Sequence, residues 1–174
     1  MFSKEVSIPV PLFKSLEGKY FVGYADNLTF GNGANAWAGL INPIDSGVNM
    51  YVNVWTITGL RAAPYRAQVW FNTNPSGVPI ESDLVIPSNN AIFPPPRPKV
   101  KILLASSVSG SPSLGIKAFV RRSITESTMV FEEDGKYIFP PGGNLIVFLS
   151  TPEAPEELQE GRVAFGWWED NVII

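Results

Sequence analysis

The chain has no cysteine and no histidine among its 174 residues. Without cysteine there is no disulfide, thiol nucleophile, iron–sulfur cluster or thiolate metal site. Without histidine there is no Ser-His-Asp triad, no imidazole-bound zinc or haem and no imidazole switch near neutral pH. Charge is scarce too: 13 basic and 16 acidic residues leave a net charge of −3, with no basic block. The positive stripe that neutralises nucleic-acid phosphates is therefore missing. The longest uninterrupted apolar run, residues 145–149, is far too short to cross a membrane. The opening MFSKEVSIPVPLF carries Lys4 and Glu5 and lacks the apolar stretch of a signal peptide. These absences predict a protein made in the cytoplasm without a signal peptide, with no nucleic-acid partner, no membrane insertion, no cofactor and no metal.

What the chain does have is β-sheet patterning. Apolar residues make up 45% of it, enough for a substantial core, and 15 glycines and 16 prolines punctuate short β-rich runs. In residues 48–58, Val48, Met50, Val52 and Val54 alternate with Asn49, Tyr51, Asn53 and Trp55. Residues 65–71 repeat the pattern, with Trp70 on the face opposite Val69 and Phe71. Residues 145–149 are apolar on both faces, which places them centrally or under a partner chain. The spacing predicts an all-β protein: an antiparallel two-sheet sandwich of jelly-roll type with eight to ten strands over residues 15–174. One short helical piece is expected at residues 155–160, and the proline-rich stretch 79–98 is expected to lie extended along a sheet edge.

Residues 1–14 read as an extended N-terminal arm. Val6, Ile8, Val10 and Leu12 alternate with Ser7, Pro9 and Pro11, which puts an apolar stripe on one face of an edge strand suited to pairing with a neighbouring chain or to folding back on its own sheet.

Candidate chemistry is sparse. Glycoside hydrolysis needs only two carboxylates. Glu132, Glu133 and Asp134 precede Gly135 as a hairpin turn would, and Glu169 and Asp170 follow Trp168; both sets read as ordinary turn acids. The stretch from Asp26 to Gly33 has oxygen ligands and glycines but fails the alternating ligand pattern of a calcium loop. No catalytic residue, and no enzyme, is expected. Trp55 and Trp70, opposite their apolar sets, are the candidate aromatic surfaces, suited to a subunit interface or to stacking on a sugar.

Several segments together carry a resemblance: SLEGKYFVGYA, NAWAGLINP, SGVNMYVNVWTI, EEDGKYIFPPGGNLIVFL and VAFGWWED. They resemble an uncharacterised family of small all-β proteins of spore-forming bacteria, which implies no active site. The closing FPPGGNLIVFL and RVAFGWWED resemble the last two strands of jelly-roll virion and appendage subunits, which polymerise. Endospore appendage subunits of that kind are cross-linked through cysteine, which this chain lacks. The resemblance implies a structural self-assembling subunit of a spore-associated or extracellular fibre, a homo-oligomer joined non-covalently; the residue pattern offers Val6, Ile8, Val10, Leu12, Trp55 and Trp70 for the joint. Release to the spore or cell surface would follow. A carbohydrate-binding β-sandwich module with a surface glycan as partner, and a phage virion jelly-roll protein, are the alternatives.

Overall fold

The computed structural model describes residues 6–172. One helix, α1 (Val10–Leu16), precedes eleven strands: β1 (Tyr20–Gly31), β2 (Asn35–Ile41), β3 (Val48–Gly59), β4 (Arg66–Phe71), β5 (Ile80–Glu81), β6 (Val85–Pro87), β7 (Lys101–Val108), β8 (Ile116–Arg122), β9 (Thr128–Phe139), β10 (Asn144–Ser150) and β11 (Leu158–Asn171). A front sheet runs β6-β1-β11-β3-β9 and a back sheet runs β5-β7-β2-β10-β4-β8. Every pairing is antiparallel. The long strands cross from sheet to sheet so that β1-β11-β3-β9 faces β2-β10-β4-β8, which is jelly-roll winding with residues 72–115 as a detour between β4 and β8.

The core forms where period-two faces of the two sheets meet. Met50, Val52 and Ile57 of β3 and Val163, Phe165 and Trp167 of β11 pack against Ala38 and Leu40 of β2 and Leu145, Val147 and Leu149 of β10. β10 is central, between β2 and β4, which explains its two apolar faces. Its outward side chains, Ile146 and Phe148, join Trp37, Ala105 and Val108 in a second buried cluster on the outside of the back sheet. The detour roofs that cluster: the Trp37 indole donates to the Ser76 carbonyl at 2.7 Å. The proline-rich stretch lies along sheet edges, as its composition predicts, through β5 at the edge of the back sheet and β6 at the edge of the front sheet.

Four expectations need correction. The strands number eleven, because the detour adds short edge strands. Residues 155–160 are not helical: turns closed by Ala154 N–H to Thr151 O and Glu157 N–H to Ala154 O lead directly into β11. The extended arm does not hold over residues 10–14, which lie in α1; the part at residues 1–5 falls outside the described residues. Pro9 is the residue before the helix and Pro11 sits in its first turn, where a missing N–H costs no hydrogen bond. Prolines that suit an edge strand suit a helix start equally well.

The fourth correction concerns Trp55. Strand β3 carries one extra residue at Asn53: Val54 pairs with Gly166 and Val52 with Trp167. A bulge of this kind reverses which side chains face inward. Val54 turns outward, and Trp55 turns into the core with no exposed surface, so it is not an assembly residue. Trp70 stays on the outer face of the back sheet, half-buried, with the Lys117 ammonium 5.2 Å from its ring.

Candidate functional site

The carboxylates separate into structural and surface groups. Glu132, Glu133 and Asp134 do not form a hairpin; they lie within β9, where a bulge places residues 133–136 opposite Asn53. Glu133 is buried and accepts a hydrogen bond from the Trp55 indole at 3.1 Å. Burial and the Glu133 charge together push the Tyr137 hydroxyl above its ordinary pKa. Glu169 is also buried. It accepts from the Lys99 and Val100 backbone amides at 2.9–3.1 Å and from the Trp167 indole at 3.1 Å. Burial raises its pKa despite those donors. Both residues are spent on holding the fold. Glu132 and Asp134 remain exposed, and no three carboxylates among the described residues gather to hold a metal ion. The stretch from Asp26 to Gly33 is the end of β1 and a tight corner into β2, with Gly31, Asn32 and Gly33 at positive φ.

The outer face of the front sheet carries two clefts divided by an aromatic ridge. The ridge is a cross-strand row, Tyr20 of β1, Trp168 of β11 and Tyr51 of β3. Tyr51 lies flat on Trp168 with ring centroids 5.3 Å apart, and the Tyr20 hydroxyl accepts from the Asn53 amide at 2.8 Å. Gly135, at the tip of the β9 bulge, closes over Trp168. A Cβ there would run into the indole, and the residue sits at φ +75°. Gly135→Ala is therefore expected to cost about 2 kcal/mol through overpacking and left-handed strain. Urea unfolding followed by tryptophan fluorescence checks this; an unchanged midpoint would remove Gly135 from the argument.

On one side of the ridge the sheet is hollow because β11 presents almost no side chain. Gly166 lies between Val22 and Val54, and Ala164 lies between Tyr24 and Thr56. Leu84 and Ile86 raise a wall beside β1. The result is an open apolar cleft of about 520 Å³ with Asp83 among its lining residues. On the other side lies a cleft of about 490 Å³ whose lining includes Lys14, Lys19, Asn49, Tyr51, Asp170 and Asn171. The Lys14 ammonium donates to Asp170 Oδ1 at 2.8 Å and to Glu17 at 3.2 Å. Lys19 lies 3.4 Å from the same two carboxylates. Burial opposes the charge on Lys14, but the two acids outweigh it and raise its pKa. This network ties α1 to the end of β11.

Helix α1 itself buries none of its residues. Val10, Leu12, Phe13 and Leu16 are between 46% and 59% exposed, and Val6 and Ile8 before the helix are also exposed. The site residues expected from sequence thus separate: Val6, Ile8, Val10 and Leu12 share one exposed segment, Trp70 lies on the back sheet and Trp55 in the core. Neither cleft was visible in the sequence. The one available signal was the short side chain of Ala164 and the absence of one at Gly166, within a strand otherwise rich in aromatics.

Compared with known sequences, residues 1–174 match the family model described as a family of unknown function, DUF6143. No curated protein and no solved structure matches the chain.

Proposed function

The chain belongs to this family of unknown function, and from that premise we propose that it is a non-enzymatic structural subunit that assembles with copies of itself. The observation that carries this is α1: a helix with four large apolar side chains and no buried residue. Exposed apolar groups clustered on one element mark an interaction surface. The same chain offers a matching cavity, the apolar hollow over Ala164 and Gly166, which α1 leaves open. Val10, Leu12, Phe13 and Leu16 of one copy enter the hollow of the next, with Val6 and Ile8 extending the contact. Because the helix and hollow are different surfaces, the contact is head-to-tail and builds a ring or a filament. With no cysteine the joint is held by packing alone. Residues 10–16 dock as a helix rather than as an added strand. The jelly-roll winding supports a place among fibre or virion subunits of spores or cell surfaces.

Light scattering on the full chain tests this reading. Wild type is expected to exceed the monomer mass. Leu12→Asp/Phe13→Asp and, separately, Ala164→Arg are each expected to give monomers. Mixed together, the two variants should form a one-to-one dimer and stop, since one intact helix meets one intact hollow. Monomeric wild type, or an Ala164→Arg protein that assembles like wild type, overturns the proposal.

A further inference from the structure

We propose that the polar cleft beside Asp170 is a binding site for neutral saccharides, across the aromatic ridge from the apolar hollow. Its border on the ridge is the Tyr51 ring, stacked against the neighbouring Trp168 at an interplanar angle of 6°. Trp168 is in turn fixed by Gly135. Such a rigid ring is a stacking platform for the apolar face of a pyranose, and it loses little conformational entropy when it binds. Around it stand groups able to meet hydroxyls. Both lysines that reach Asp170 use its Oδ1. Asp170 Oδ2, the Asn49 and Asn171 amides and the Tyr51 hydroxyl have no hydrogen-bond partner among the described residues.

A ligand that engages these groups at once needs several donors and acceptors on one side and an apolar face on the other. A sugar ring has both. The charges decide the class. Lys14 and Lys19 are balanced by Asp170 and Glu17 in one mutual network. An anionic ligand would have to break ion pairs to enter, whereas a neutral one only replaces water. The neighbouring hollow is lined mainly by apolar groups, with Asp83 its one charged residue. At about 490 Å³ the polar cleft is within the usual range for small ligands.

Titration of the full chain with cellotetraose, chitotetraose and mannotriose, read by tryptophan fluorescence and calorimetry, tests the site. At least one of these neutral oligosaccharides is expected to bind. Tyr51→Ala should weaken it tenfold or more, Asn49→Ala roughly threefold to tenfold, and Tyr51→Phe should stay within threefold because the platform remains. Circular dichroism of each variant verifies folding, and Asn49→Ala, a change at the sheet surface, keeps the test valid if Tyr51→Ala unfolds. Failure of all three sugars to bind at millimolar concentration overturns the proposal. So does equal binding by a folded Tyr51→Ala protein, or by Asn49→Ala where Tyr51→Ala unfolds. Monomeric wild type that still binds sugar would refute the assembly reading and leave this one standing.

Discussion

Replacing Glu169 with leucine should lower stability by about 3–5 kcal/mol, because two buried N–H donors and one part-buried donor lose their acceptor at once. The Lys99 and Val100 amides and the Trp167 indole all point at this one carboxylate. Leucine fills a similar space but accepts nothing. In thermal unfolding this corresponds to a midpoint lower by roughly 10 °C or more for a chain of this size. An unchanged midpoint would mean that the three donors find other partners. The residue also predicts a pH dependence. Burial raises its folded pKa above the unfolded value. The folded state therefore holds the proton more tightly than the unfolded state does. The stability this confers is complete below the unfolded pKa and is lost as pH rises through the folded one. Glu169→Gln abolishes that titration. The unfolding free energy of wild type relative to Glu169→Gln should thus fall as pH rises above about 4. Parallel urea curves for the two proteins would contradict it.

Trp55→Ala should cost about 3–5 kcal/mol, the usual range for deleting a buried indole. Trp55 stacks on Phe131 of β9 at 4.1 Å and lies 6.3 Å from Phe119 of β8. These are the free edges of the two sheets, so one side chain closes the open mouth of the sandwich. Its removal also strips the buried Glu133 carboxylate of its indole donor. Hydrogen exchange should accelerate first in β8 and β9, while β10 stays protected. Trp55→Phe should lose less, because a ring remains against Phe131. Were Trp55 on an intermolecular face instead, the alanine variant would dissociate an assembly and leave monomer stability intact. The same pair of measurements separates the two cases.

The architecture was legible because the evidence for it is local. Alternation in β3 and β4, the doubly apolar β10 and turn residues at short intervals suffice to indicate a two-sheet sandwich. Trp55 was misplaced because alternation assumes an unbroken period of two, and nothing in VNMYVNVWTI marks Asn53 as the extra residue. Only pairing with β11 and β9 reveals it. Val10–Leu16 was ambiguous for a different reason. Alternation through Val10 and Leu12 competes with the three-residue spacing of Val10, Phe13 and Leu16, and the prolines suit either conformation. The hairpin expected at Glu132–Gly135 is instead a bulge within one continuous strand, where Asp134 and Gly135 take the positive φ that a turn would also need. The clefts were beyond reach because Lys14, Asn49, Tyr51 and Asp170 become neighbours only when the front sheet assembles.

The pairing of Tyr20 with Trp168 also sets a timetable. During synthesis β1 leaves the ribosome long before β11, the strand that must lie between it and β3. Until then β1 and β3 have no neighbour joining them, and Phe21, Met50 and Val52 wait without the Val163 and Phe165 they will pack beside. Closure of the front sheet is therefore a late, long-range step, of the kind that folds slowly and exposes unpaired edges while it waits. A chain with those edges open and apolar has a quality-control problem before it has a function. Until the eleventh strand is in place, nascent copies are at their most prone to pair edge to edge.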